Sequence, residues 1–211
     1  MARRAVTLSG SRMVVIGIVG GIASGKSKVA EYLQQCGAAV IDADRLGHEV
    51  LNEPEVRQSL VRRWGHDIRD EQGQIDRRAV ARIVFAPPPE GPESLAFLEE
   101  LTHPRIGQRM RKALQELAAQ PGLRAVVLDA PVLFEAGWNK YCDRVVFVEA
   151  PRHVRLQRAR QRGWTENEFS AREAAQESLD MKRECADWVI DNSRSADDTY
   201  AQVQQFWRSL P

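Results

Sequence analysis

Eight consecutive residues, Gly20-Gly21-Ile22-Ala23-Ser24-Gly25-Lys26-Ser27, fit the spacing G-x-x-x-x-G-K-[ST]. Each fixed position has a task in holding a polyphosphate. Gly20 and Gly25 permit backbone angles that a Cβ would penalise, which turns several N–H groups toward an anion. A helix beginning near Ser27 would aim its positive end at the same point. Lys26 would set a formal charge over the β- and γ-phosphates, and the Ser27 hydroxyl is a natural magnesium ligand. The expected nucleotide-binding set is therefore Gly21, Ile22, Ala23, Ser24, Gly25, Lys26, Ser27 and Lys28, with the metal on Ser27. A chance match in a glycine-rich turn is the competing reading, but the context favours function. The apolar run "MVVIGIV" precedes the turn, and Val29, Leu33 and Cys36 follow at helical spacing until Gly37 stops the helix.

The stretch "VIDADRLG" carries Asp42 and Asp44. They are expected to end the second strand and to share a face, because strand side chains alternate. In an open parallel sheet ligands bind beyond the carboxyl ends of the strands, so this edge would face the glycine turn. Asp44 would then accept a hydrogen bond from an acceptor hydroxyl and orient it for in-line attack. An unperturbed aspartate is a weak base at neutral pH, yet phosphoryl transfer needs orientation more than early proton removal. Capping of the next helix is the alternative for either carboxylate.

A third group lies in "PRHVRLQRARQRG", with Arg152, Arg155, Arg158, Arg160 and Arg162 and no acid between Pro151 and Thr165. On a helix Arg155, Arg158 and Arg162 share a face while Arg160 points away. By itself this reads as a solvated or RNA-binding face. After a strand of a phosphate-binding core it fits a lid that closes over ATP and brings positive charge to the transferring phosphoryl group.

The elements that must position these groups are legible in the apolar patterning. Five short β-branched runs, 13–19, 38–43, 125–130, 144–150 and 187–191, predict buried parallel strands separated by helices. The expected fold is α/β: a five-stranded parallel sheet flanked by helices. Residues 13–44, 118–150 and 187–211 would form the nucleotide-binding core. Residues 45–117 would form an inserted helical subdomain, 151–186 a lid, and 1–12 a disordered extension, with Met13 an alternative start. Within the insertion "EVRQSLVRRWG" and "DRRAVARIVF" look helical, with Asp76 placed to cap the second. A turn-rich linker over 86–94 leads into a long helix reaching about residue 120, with a break expected at Pro104.

Composition narrows the function classes. With 211 residues, 43% hydrophobic and 28% charged, the chain is an ordinary globular protein. Thirty basic residues face 29 acidic ones, which argues against a surface built for nucleic acid. Cys36, Cys142 and Cys185 are far apart and suggest neither a disulfide framework nor a zinc site. No apolar run approaches the ~20 residues of a membrane span, and "MARRAVTLSGSR" lacks the apolar core of a signal peptide. A cytoplasmic location, with no membrane, nucleic-acid or obligate protein partner, is expected.

A GTP-driven switch is one rival. Asp44-Arg45-Leu46-Gly47 reads D-x-x-G, and Asn139-Lys140-Tyr141-Cys142-Asp143 nearly reads N-K-x-D. The second has one residue too many. The first follows Ser27 by only seventeen residues, too few for a magnesium-holding switch segment. A kinase acting on a small hydroxyl compound or nucleotide explains more.

Together "GIVGGIASGKSKVA", "VIDADRLGHEVL", "THPRI", "DAPVLFEAG" and a tail with "REAAQ", Lys182 and "ADWVIDN" resemble the dephospho-coenzyme A kinase family, from about Met13 onward. The resemblance implies transfer of the ATP γ-phosphate to the ribose 3′-hydroxyl of dephospho-coenzyme A. It also implies a P-loop core, a helical acceptor subdomain and a mobile lid. Asp44 matches the family's catalytic base, Arg158 and Arg162 match lid arginines, and Asn192 lies in the region beside the adenine. With Lys26 these give the expected catalytic set Asp44, Lys26, Arg158 and Arg162. His103, ahead of Pro104, either packs at the helix break or lines the acceptor site with Asp44. Asp129 resembles an acid that holds magnesium through water, and Glu135 would order neighbouring polar groups. Three positions depart from the family pattern: Ala23 for glycine, Lys28 for threonine or serine, and Arg155 for glutamine. Ala23 is expected to keep φ negative, Lys28 to tune nucleotide affinity, and Arg155 is assigned no catalytic role.

Overall fold

The computed structural model describes residues 13–176 and 178–211, so the expected extension 1–12 lies outside the described residues. Each apolar run forms a strand: β1 Val14–Val19, β2 Ala39–Asp42, β3 Ala125–Asp129, β4 Arg144–Glu149 and β5 Trp188–Asp191. They make one sheet in the order β2-β3-β1-β4-β5, every pairing parallel. Val126, Val127 and Leu128 on consecutive positions of β3 are all fully buried, so both faces of the sheet are covered. On one face Ile16 and Ile18 pack with Val29 and Leu33 of α1 (Lys26–Gln35) and with Val203 and Phe206 of α9 (Ala196–Ser209). On the other, Gly17 leaves room for Leu133 and Cys142. A Cβ there would stand 2.6 Å from the Leu133 side chain.

Helix α1 ends in a left-handed stop. Gly37 has φ +108°, its N–H donates to the Gln34 carbonyl, and the Ala38 N–H reaches back to Leu33. That turn sends the chain straight into β2.

Two expectations need correction. Strand β2 ends at Asp42, and Ala43–Leu51 is already helix α2, so strand alternation does not relate Asp42 to Asp44. Asp44 instead occupies the first turn of α2, where a carboxylate suits the helix dipole. Helix α5 also runs unbroken from Glu90 to Ala118 with Pro104 inside it. Proline removes one N–H from the ladder. Side chains reinforce the same turns: Thr102 Oγ1 donates to Leu98 O at 2.7 Å, and Arg105 Nη1 to Leu101 O at 2.8 Å.

The chain divides into two compact units. One holds the described residues up to Ala43 together with Lys112–Pro211; the other is Asp44–Arg111. The first contains the sheet and also α6 (Arg152–Gln161), α7 (Glu166–Ala174) and α8 (Leu179–Glu184) of the arginine-rich insertion. The second is helical, with α2, α3 (Pro54–Trp64), α4 (Arg77–Val84) and most of α5. Asp76 caps α4 as its position suggests, its Oδ1 accepting from the Arg78 N–H at 2.8 Å. Arg109 ties α5 to Glu49 and Glu53 at 3.0 and 2.7 Å.

Candidate active site

The glycine turn joins β1 to α1 with the backbone its residue types require. Gly20 has φ +150°, and a Cβ would press on the Val148 carbonyl of β4. Gly25 has φ +97° and lies against the Asn192 amide, which a Cβ would overlap. Lys26 folds back over the turn, its Nζ donating to the carbonyls of Gly20 at 3.1 Å and Gly21 at 3.0 Å. The expectation for Ala23 is overturned: its φ is +58°, a left-handed conformation. A Cβ there costs roughly 1–2 kcal/mol. Against that cost, the Ala23 methyl is buried in a cluster with Ala159 of α6 and Phe169 of α7.

The arginine helix closes on this turn. Arg158 Nη1 donates to Ser24 O at 3.0 Å, and Nη2 donates to Asn192 O at 2.8 Å. Asn192, just beyond β5, is buried and fully engaged. Its Nδ2 donates to Ser24 O at 2.7 Å and its Oδ1 accepts from Thr199 Oγ1 at 3.0 Å. Burial lowers the pKa of the Arg158 guanidinium, and the adjacent charge of Arg162 adds to the effect. Arg162 is the C-cap residue of α6 and is exposed.

Other positions are less concentrated. Ser27 is exposed in the first turn of α1. Lys28 lies on the outer face, its Nζ 3.0 Å from Glu31 and 4.7 Å from the Tyr32 ring; hydrogen bonding to Glu31 raises its pKa. Asp129 ends β3 in register with Ile18 of β1 and with Asp42 of β2, so two carboxylates share the strand edge at the turn. Asp44 and His103 belong to the other unit. Asp44 is exposed at the start of α2, and His103 is half-buried within α5 rather than at a break.

Two buried cations escape a reading of spacing. Lys182 of α8 has a fully buried side chain, and its Nζ lies 2.6 Å from Glu135, forty-seven residues earlier. Only long-range packing reveals that partner. Arg155 is 4% exposed, where the helical pattern alone shows one arginine among five.

The guanine-reading decoy is displaced. Asp143 Oδ2 accepts from the Val15 N–H at 3.0 Å, at the amino end of β1 and so at the opposite end of that strand from the phosphate turn. The D-x-x-G stretch begins inside α2.

Known proteins agree with this architecture. The family model for dephospho-CoA kinase (CoaE) matches residues 14–198. A dephospho-CoA kinase from Bacillus licheniformis is 41% identical over 194 residues, covering 91% of this chain and 94% of its own. The structure is similar to TT1252 from Thermus thermophilus, with a TM-score of 0.75 and 34% identity over 94% of this chain and 98% of that one. It is also similar to the dephospho-CoA kinase of Campylobacter jejuni, with a TM-score of 0.68 and 25% identity over 93% and 96% of the two chains. A match of that extent, on a P-loop core with an arginine helix closed over it, places this chain in the dephospho-CoA kinase family.

Proposed function

We propose that the protein transfers the γ-phosphoryl group of ATP to the ribose 3′-hydroxyl of dephospho-coenzyme A, giving coenzyme A and ADP in the cytoplasm. The observation that carries this reading is the polyphosphate cradle with Arg158 bridged between Ser24 and Asn192. It joins the phosphate-binding turn to the arginine helix within one unit.

Lys26 and the N–H groups of residues 21–28 hold the ATP phosphates. On nucleotide binding the Lys26 ammonium exchanges its two carbonyl acceptors for phosphate oxygens. Arg158 and Arg162 offset charge that develops on the transferring group, where a preorganised guanidinium needs little reorganisation. Asn192 fixes the back of the turn. Asp44 orients the acceptor hydroxyl and takes its proton as the new bond forms. Its place two residues beyond the carboxyl end of β2 supports this, because ligands of open parallel sheets bind past that end. His103 lines the acceptor side.

The oxygen donors near the turn suit magnesium, which keeps several waters and takes few protein ligands. Ser27 would hold it directly, and Asp129 would hold it through water. The ion would neutralise phosphate charge during transfer.

ADP release measured with dephospho-coenzyme A, AMP, cytidine monophosphate and gluconate tests the proposal. Turnover is expected with dephospho-coenzyme A. Turnover on one of the others and none on dephospho-coenzyme A would overturn it in favour of a different P-loop kinase. Preference for GTP with slow acceptor-free hydrolysis would indicate a switch protein.

A further inference from the structure

Arg155 has no part in the mechanism above, yet it is the most deeply buried arginine of α6. Its Nε donates to Ala150 O at 3.1 Å, and its Nη2 lies 2.7 Å from a Glu173 oxygen. Nη1 is buried and has no hydrogen-bond partner among the described residues. That same nitrogen faces the phosphate turn: a Cβ placed on Gly21 would stand 2.8 Å from it. A charged donor buried without an acceptor is costly, and a guanidinium cannot shed its proton to escape.

The surroundings say what acceptor fits. Arg155 and Gly21 line a cavity of about 220 Å³ at the carboxyl end of β4, room for a phosphoryl group with water. Arg152 and Arg183 stand on the same wall. Arg152 shares Glu173 with Arg155, at 3.1 Å, so one carboxylate serves two guanidinium groups. Arg183 is paired with Glu149 at 3.2 Å. Glu149 and Asp180 also line the cavity and would repel an anion, which confines it to the corner between Arg155 and Gly21. The carbonyl of Gly21 accepts from Lys26 Nζ at 3.0 Å, so Gly21 borders both the Lys26 ammonium and Arg155 Nη1.

We propose that Arg155 is an additional phosphate ligand of this kinase, with Nη1 donating to a nucleotide phosphate oxygen beside Gly21. The inference rests on the function proposed above and deepens it. The phosphate comes either from the γ-position of ATP or from the diphosphate of dephospho-coenzyme A; both present the same anionic oxygens. Nε and Nη2 hold the guanidinium in place, and Nη1 does the binding.

Calorimetric titration of the full chain with a nonhydrolysable ATP analogue, ADP and dephospho-coenzyme A decides the matter. Arg155→Gln should weaken one class of ligand by about 10- to 100-fold, the range for one charge-assisted hydrogen bond. Loss confined to the triphosphate, with ADP unchanged, assigns the γ-phosphate. Loss confined to dephospho-coenzyme A assigns the acceptor diphosphate. Glu173→Gln removes the carboxylate's charge but keeps a side-chain oxygen that can accept from Nη2, so the guanidinium stays held and the wild-type affinity should be retained. Any other pattern overturns the proposal, including equal loss for all three ligands, no loss, or matching losses in the two variants; Arg155 is then a tether only. Should Arg155→Gln not fold, Arg155→Lys carries the same comparison. Tripolyphosphate added to the wild-type chain must in addition shift the Arg155 Nη resonances, and unshifted resonances would contradict the assignment. If the wild-type chain fails to phosphorylate dephospho-coenzyme A, the function reading falls while the ATP arm still tests Arg155.

Discussion

Substituting Lys182 by methionine tests how the arginine-rich insertion is fastened to the sheet. The Lys182 side chain is fully buried, and its partner Glu135 retains only 15% exposure. Removing the ammonium leaves that carboxylate in a poorly hydrated site opposite an apolar chain. Breaking a buried pair from one side costs about 3–5 kcal/mol, far above the value of an exposed ion pair. For a chain of this size each kcal/mol shifts Tm by roughly 2–4 °C, so Lys182→Met should melt some 6–20 °C below the wild type. The loss belongs to the orphaned charge rather than to the attraction itself. The double variant Glu135→Leu/Lys182→Met should therefore recover most of it and lie within about 2 kcal/mol of the wild type. Urea denaturation of the wild type, Lys182→Met, Glu135→Leu and the double variant, followed by tryptophan fluorescence and far-ultraviolet dichroism, closes the cycle. A single variant that loses under about 1 kcal/mol, or a double variant that loses the full sum of the singles, would refute the reasoning.

Other perturbations reach the site and its supports. Asp44→Asn should leave ATP affinity nearly intact and cut kcat by roughly 10²-fold or more, read by stopped-time product assay; near-normal kcat would remove Asp44 from the mechanism. Arg158→Lys keeps the charge but cannot bridge the Ser24 and Asn192 carbonyls. It should lower kcat/KM by about 10²-fold or more, and a change of only a few-fold would show that the fork is dispensable. At the start of α7, the N–H and hydroxyl of Thr165 hold the Glu168 carboxyl below its ordinary pKa. A depressed carboxylate stabilises above its unfolded pKa and loses that contribution as pH falls through the folded one. Protection of the α7 amides, taken relative to the intrinsic exchange rate at each pH, should therefore fall below about pH 4, and Glu168→Gln should abolish that fall. Asp76→Ala should cost about 1 kcal/mol in the helical unit and leave ATP binding unchanged, measured by hydrogen exchange of α4 and by nucleotide titration.

The strands were legible because a parallel sheet buried on both faces needs unbroken β-branched runs, and all five runs became strands. The phosphate turn was legible for a similar reason: its glycines are demanded by backbone angles that leave a record in residue type. Ala23 marks where that logic fails. Alanine usually signals negative φ, but here a buried contact with Ala159 and Phe169 accompanies the left-handed backbone, and no local pattern records it. The boundary between β2 and α2 was misplaced because strand alternation cannot say where ladder bonding stops. Pro104 misled for a different reason. Helix breaking is a local preference, and α5 carries it through with side-chain bonds from Thr102 and Arg105. The pair Lys182–Glu135 and the burial of Arg155 arise from tertiary packing, so residue spacing could not disclose them.

The chemistry proposed for this turn is defined by where the ATP phosphoryl group goes. Incubation of the protein with ATP, magnesium and dephospho-coenzyme A, followed by mass and phosphorus resonance analysis of the product, addresses that directly. One added phosphoryl group on the ribose 3′-oxygen, with one ADP formed per product, is the predicted result. ADP formed with dephospho-coenzyme A left unmodified, or phosphate on another oxygen, would contradict it.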